Sequence, residues 1–231
     1  YNKVKVLQRL LTRSYSAKCM AVRKVTSNKG ARTPGIDGTT WNTDLQKAEA
    51  ISNLRHRGYK PLPVRRVYIA KSNGRRPLGV ASMNDRAMQA LSLFALEPVA
   101  ETIADPNSYG FRSYRSCADA IGQCFIALAK KRSSQWILEG DIKSCFSEIS
   151  HRWLEDNILM DKKLLRKWLK AGYVEKGVMF QTQSGVQQGS VNSPCITVIT
   201  LSGLEAAVRA GLKSLDKVNV VVYADDCVPR I

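Results

Sequence analysis

Histidine is nearly missing from this 231-residue chain, which has two, and its six cysteines include no C-x-x-C pair. Without closely spaced thiols and imidazoles there is no ligand set for a zinc centre. Cys19, Cys117, Cys124, Cys145, Cys195 and Cys227 are scattered through apolar stretches and are expected to be buried, reduced thiols of a reducing compartment. No run of eighteen apolar residues occurs, which excludes a hydrophobic membrane-spanning helix. The opening Tyr1 to Arg13 mixes cations with isolated Val and Leu at helical spacing, unlike the apolar centre of a signal peptide. The expectation is a soluble, cytoplasmic protein with no membrane partner. There is no internal repeat and no low-complexity tract.

Acidic residues are scarce too: 19 Asp and Glu stand against 36 Lys and Arg, a formal charge of +17. Such an excess points to a polyanionic partner, nucleic acid first. No segment sets its cations opposite a Trp, Phe and Leu stripe, as a membrane-surface helix would. With 44% hydrophobic residues, the chain can bury one sizeable core or two small adjoining subdomains.

The segment up to about Met20 predicts a basic helix, followed by a Gly-, Pro- and Asn-rich loop from Ser27 to Gly38 (SNKGARTPGIDG) and helical spacing from Thr43 to Gly58. VRRVYIAK and RRPLGVA flank the Asn73-Gly74 step, a hairpin signal, and carry Arg65, Arg66, Lys71, Arg75 and Arg76. Asn84 is a plausible N-cap for a helix whose face is Met88, Leu91, Ala95 and Leu96, with Pro98 kinking or dividing it. A helix is expected from about Cys117 to Lys131. Trp136 to Phe146 (WILEGDIKSCF) reads as a buried strand presenting Asp141 at its end. Trp153 and the cluster Leu164, Leu165, Trp168, Leu169 suggest two short helices. Ser193 as N-cap and Pro194 as first residue open a helix to about Leu212. VNVVVY and CVPRI flank Ala224, Asp225 and Asp226 as a second hairpin. This irregular interleaving predicts an α+β fold.

Successive side chains of a regular strand alternate faces, so adjacent Asp225 and Asp226 can serve one metal pair only from a tight turn. The sequence supplies that turn between two apolar runs, and Asp141 ends a strand that could meet it. Clustered carboxylates are the hard oxygen donors that Mg²⁺ requires. Taken alone, an Asp-Asp step in a hairpin is ordinary turn chemistry; the other motifs give it weight.

Those motifs resemble the reverse transcriptases, in order along nearly the whole chain. Tyr223, Ala224, Asp225 and Asp226 resemble the YADD box, Asp141 to Phe146 (DIKSCF) the preceding catalytic-strand motif, and Gln188, Gly189, Ser193 and Pro194 the Q-G-x-x-x-S-P signature. KSNGRRPLG, DRAMQ and GFR resemble finger motifs, and Thr33 to Gly38 (TPGIDG) resembles the N-terminal motif of the group II intron enzymes.

The resemblance implies a right-hand polymerase: fingers and palm, with an antiparallel palm sheet flanked by helices, and the thumb beyond Ile231. Residues 1–40 correspond to the N-terminal extension, 41–115 mainly to fingers and 116–231 mainly to palm. It implies RNA-directed DNA polymerase activity with two Mg²⁺ ions, acting on dNTPs with an RNA template and DNA primer, and intron RNA as a splicing partner of the parent protein. Asp141, Asp225 and Asp226 are then catalytic, with Ile142 beside them at the metals. Lys71, Arg76, Phe146 and Gln188 contact the nucleotide, with Phe146 as a steric gate against the 2′-hydroxyl. Arg65, Arg112, Gly189 and Tyr223 face template, primer or other RNA.

From the residues alone Phe146 also reads as a core aromatic, the hairpin cations as a solvated face, and Ser193 as a cap. Gln187 and Ala70 stand where the family usually has proline, and Pro229 would require its strand to be an edge. A catalytically idle intron-RNA-binding cofactor and a retron or CRISPR-associated reverse transcriptase are the alternatives. No feature fixes the oligomeric state, and a homodimer is compatible with the sequence.

Overall fold

A computed structural model describes residues 2–71, 74–129, 136–211 and 218–230, with only the backbone at Lys71, Pro229 and Arg230. In chain order the elements are α1 (Asn2–Leu11), α2 (Tyr15–Thr26), a 3₁₀ turn (Lys29–Arg32), α3 (Asp44–Asn53), β1 (Val64–Lys71), β2 (Gly74–Val80), α4 (Met83–Ile103) and α5 (Cys117–Leu128). There follow β3 (Gly140–Asp141), α6 (Cys145–Glu148), α7 (His151–Asn157), α8 (Lys162–Leu169), β4 (Tyr173–Glu175), β5 (Val178–Phe180), α9 (Ser193–Leu201), α10 (Leu204–Ala210), β6 (Asn219–Tyr223) and β7 (Asp226–Arg230). The α+β expectation holds. No described helix is long and apolar enough to cross a membrane.

These elements form two compact units, each built from two stretches of chain. One comprises Tyr1–Pro98 and Phe146–Ser193, the other Val99–Cys145 and Pro194–Ile231. Residues 146–193 therefore fold with the N-terminal part of the chain.

In the first unit the sheet order is β2-β1-β4-β5, with β1 antiparallel to β2 and parallel to β4. The expected hairpin is present in register from Arg65↔Val80 to Lys71↔Gly74; Ser72 and Asn73, its turn, lie outside the described residues. Met83, Met88, Leu91, Leu96, Leu154, Ile158 and Leu165 are fully buried in this unit, and Met88, Leu91, Leu96 and Leu165 among them belong to the helical faces that the spacing marked. Asp85 ties the interior together: Tyr59 donates to it at 2.5 Å, Ser82 at 2.8 Å and the Leu62 N–H at 3.1 Å, while Trp168 Nε1 donates to the Tyr59 hydroxyl at 2.8 Å. Burial raises the Asp85 carboxyl above its ordinary value despite these donors.

The N-terminal Gly-Pro segment is held by cations of the same unit. Arg86 donates to the carbonyls of Gly30 and Thr33, and Arg65 to that of Pro34. A Cβ on Gly35 would lie 2.6 Å from Ser82 Cα, so the backbone approach itself demands glycine there.

In the second unit the sheet order is β3-β7-β6, all antiparallel. Val218, Val220 and Val222 pack beneath it against Leu204, Val208 and Cys227.

Several expectations change. The basic N-terminal helix is two helices, because Ser14 caps the second by accepting from Ala17 N. Helix α4 starts at Met83, and the Ser82 hydroxyl accepts from Asp85 N, so the cap lies two residues before Asn84; the helix runs through Pro98. The helix expected up to Leu212 is broken at Ser202 and Gly203, where Gly203 takes φ +93°; Leu212 itself, like the Lys131 end of α5, is outside the described residues.

The buried strand over Trp136 to Phe146 is not formed. Only Gly140 and Asp141 pair with β7, and Trp136, Ile137 and Leu138 are 81%, 57% and 56% exposed. Periodicity reports β-propensity but not whether anything covers the run. The cysteines are free, but only Cys145 and Cys195 are buried and Cys117 is exposed. Strand β7 lies centrally in its sheet only at Asp226 and Cys227. At Pro229 it has β6 as its one described neighbour, the edge condition that proline needs.

Candidate active site

The second unit assembles the acidic residues by strand register. Strands β6 and β7 close with Tyr223↔Asp226, leaving Ala224 and Asp225 as a two-residue turn. Ala224 takes φ +59°, the sense that matches hairpin twist. A left-handed alanine costs roughly 1 kcal/mol, so the surrounding structure must hold the turn in place. It does so from both sides. Ile142 N–H donates to the Asp225 carbonyl at 3.0 Å. Along the outer edge of β6, Tyr109 N–H donates to the Val222 carbonyl and Val222 N–H to that of Asn107, both at 2.9 Å. Gly110 then lies against the turn: a Cβ there would sit 2.8 Å from Ala224 Cα and 2.9 Å from the Tyr223 carbonyl carbon, and closer still to Ala224 N.

Asp141 and Asp226 are Cα partners on antiparallel strands, so their side chains leave the sheet on one face. Asp225 projects from the adjoining turn. None of the three has an ion pair among the described residues. Their joint field is felt by the neighbouring thiols. Burial first, then the charges of Asp225 and Asp141, push the Cys145 thiol up; burial, then Asp226 and Asp141, do the same to Cys227. Both cysteines stay protonated at neutral pH and are poor metal ligands.

Three unneutralised hard-oxygen donors suit a divalent cation of the Mg²⁺ kind. No three described His, Cys, Asp or Glu side chains converge enough to hold an ion by themselves. Mg²⁺ usually takes one or two carboxylates and completes its shell with water and substrate phosphate, which fits an open donor set.

Arg112 does not face outward. Its guanidinium is buried, paired with Glu101 and donating to the carbonyls of Asp105 at 3.0 Å and Ser108 at 2.7 Å. These bonds hold the Glu101 carboxyl below its usual range. They also anchor the 105–108 segment that borders β6, so Arg112 positions the turn's neighbour instead of offering a free cation to RNA. Tyr223, at the turn, is exposed.

The first unit brings Arg76, Phe146, Gln188 and Gly189 together at the loop 185–193. Gly79 N–H donates to the Gln188 carbonyl at 2.8 Å, and Arg76 Nε to Gln188 Oε1 at 3.2 Å. Gly189 takes φ +98°, and a Cβ there would lie 2.6 Å from the Gly79 carbonyl oxygen. Phe146 is half-buried and its carbonyl accepts from Val186 N–H at 2.7 Å. The Ser193 hydroxyl donates to the Gln187 carbonyl at 2.8 Å and begins α9. Gln89 accepts from Val191 N–H, tying α4 to the same loop. Arg65 spends its guanidinium on Pro34, and Arg66 stacks on Tyr173 at 3.3 Å from the ring centroid. The Lys71 side chain lies outside the described residues. Gly110, Arg86 and Gln89 were not singled out for these roles from sequence; each acts through backbone groups far away in the chain.

Residues 69–229 match the family model described as reverse transcriptase (RNA-dependent DNA polymerase), and residues 1–54 match that of the N-terminal domain of reverse transcriptase. Protein YkfC of Escherichia coli K12 is 39% identical over 197 residues, covering 79% of this chain and 51% of that protein. The group II intron-encoded protein LtrA of Lactococcus lactis subsp. cremoris is 38% identical over 196 residues, covering 80% of this chain and 32% of LtrA. The chain thus spans about half of the first relative and a third of the second. Among solved structures, a chain of a partial Cas6-RT-Cas1–Cas2 complex superposes with a TM-score of 0.54 at 19% identity, covering 97% of this chain and 38% of that one. That likeness concerns the fold alone.

Proposed function

This chain belongs to the reverse transcriptase family, and from that premise we propose that it is the polymerising part of a group II intron-encoded enzyme that copies RNA into DNA. The observation that carries the reading is the pairing Asp141↔Asp226 with Asp225 in the adjoining two-residue turn, three acids at one end of a sheet with no ion pair among the described residues. The 38% identity to an intron-encoded protein favours the intron type over a CRISPR-associated one, whose likeness stands at 19%. An idle RNA-binding scaffold would gain nothing from three mutually repelling carboxylates.

In this reading the second unit is the palm and the first the fingers. Asp141, Asp225 and Asp226 would hold two Mg²⁺ ions, with the backbone at Ile142 fixing Asp225 in place. Bound there, the ions would supply Lewis-acid activation of a primer 3′-hydroxyl and charge neutralisation at the leaving pyrophosphate. Arg76 and Lys71 grip the triphosphate, and Arg76, oriented by Gln188, offers charge-assisted bonds to it. Gln188 and Gly189 border the nucleotide and template, Tyr223 the primer end. Arg65 and Arg112 act by positioning backbone. RNA template, DNA primer, dNTPs and intron RNA are the partners.

Primer extension on an RNA template with dNTPs and Mg²⁺ tests the proposal. Template-dependent DNA synthesis is the expected product, and none from a folded, RNA-bound protein would reject it.

Phe146 is assigned as the gate against ribonucleotides. Phe146→Val should raise incorporation of rNTP relative to dNTP by about tenfold or more, since a hydroxyl is being excluded by shape. Single-nucleotide kinetics with unchanged discrimination would return Phe146 to a purely structural place.

A further inference from the structure

Helix α1 is mounted the wrong way round for a surface helix. None of its residues is buried, and Val6, Leu7, Leu10 and Leu11 are exposed. Its polar face is the attached one: Gln8 Nε2 donates to the carbonyls of Ala95 at 3.0 Å and Leu159 at 2.8 Å. Beside Gln8, the exposed Lys5 and Arg9 of α1, with Arg13 just past its end, border a cavity of about 320 Å³ within the first unit, a volume in the range of small-ligand sites. None of these three cations has an ion pair among the described residues. The one acid lining the cavity, Asp161, already accepts from the N–H groups of Lys163 and Leu164.

Two polar atoms of the lining have no hydrogen-bond partner among the described residues. Ser92 Oγ is buried, on a residue 5% exposed, and His56 Nε2 is buried as well; both side chains line the cavity. Unsatisfied buried polar groups are costly and demand an explanation. The His56 ring bonds the Thr12 main chain, and burial, the largest influence, pushes its pKa down. The ring is thus neutral at pH 7, and Nε2 offers a lone pair that seeks a donor.

We propose that this cavity is an RNA-binding subsite that receives one extruded nucleotide, its base against Ser92 and His56 and the flanking phosphates on Lys5, Arg9 and Arg13. A nucleobase supplies the amino or imino donor that His56 accepts. Lys5 and Arg9 stand about 6 Å apart along the helix at 1.5 Å per residue, with Arg13 following past its end, so the three cations form a row suited to successive phosphates of a strand and longer than one phosphate needs. The subsite rests on the RNA-handling function proposed above but lies apart from the acidic residues in the sequence and takes no part in nucleotidyl transfer.

The test compares two RNA hairpins, one fully paired and one with a single bulged 2-aminopurine, in fluorescence and anisotropy titrations of the protein. The bulged hairpin should bind about tenfold more tightly, with a fluorescence change reporting the unstacked base. The K5Q/R9Q/R13Q variant should lose that preference and about two units of the log–log salt slope. Ser92→Ala should also reduce the preference without lowering the Tm of the RNA-free protein, since it removes an unsatisfied hydroxyl. Equal binding of the two hairpins, or an unaltered preference in both variants, overturns the subsite. So does full competition by free AMP at concentrations matching the hairpin, which would make it a mononucleotide site. Primer extension by the same wild-type preparation reports separately on the polymerase reading, so either can fail without the other.

Discussion

Under the proposed function, Asp225→Asn should cut RNA-templated DNA synthesis by at least about 10²–10³-fold and leave RNA affinity and Tm close to those of the parent. The asparagine keeps the size of the side chain and the backbone bond from Ile142 N–H to the residue 225 carbonyl. What it removes is one negative charge from a donor set without ion-pair partners among the described residues. RNA affinity should stay because it comes from the cation excess, +17 overall, and relieving acid–acid repulsion costs no stability. Primer-extension rates, RNA titration and thermal unfolding measured together check it. Synthesis near the parent's rate in a folded mutant would remove Asp225 from the catalytic set.

Gly110→Ala should have a comparable effect by a different route. The new methyl group would meet the backbone of Ala224 and Tyr223, with neighbours at 2.8 and 2.9 Å and Ala224 N nearer. Backbone cannot rotate aside as a long side chain can, so either the 107–110 segment leaves β6 or the turn carrying Asp225 shifts. Overpacking of this kind costs about 1–3 kcal/mol, and a displacement of about 1 Å at a catalytic group costs on the order of 10² in rate. Gly122→Ala is the control: nothing lies within 4 Å of a Cβ there, so the helix α5 should gain roughly 0.5–1 kcal/mol and synthesis should be unchanged. Equal rates for the Gly110 and Gly122 variants would show that the turn tolerates displacement.

Both hairpins were legible because their information is local: β-prone, largely apolar runs on either side of residues suited to a turn. The acidic turn was legible for the same reason, and its partner Asp141 through the ordered family motifs. Gly110 was not. Its requirement arises from a turn that follows it by more than a hundred residues, and no local pattern encodes a backbone approach of that range. Arg112 was misread for a related cause. A cation in a polar segment looks available, and only the fold reveals that Glu101 and two carbonyls occupy it.

The sequence by itself determined both hairpins and the approximate place of most helices, the excess of positive charge and the residue types able to hold a metal, since propensity, charge and donor chemistry belong to residues and their near neighbours. Tertiary structure decided which acids share a face, through the register Asp141↔Asp226, and which arginines are spent on backbone carbonyls. It also attached α1 through the polar Gln8 side chain and left its leucines exposed, against the pattern of an amphipathic helix. Burial, register and close approach are properties of pairs of segments distant in the chain, so only the folded molecule could set them.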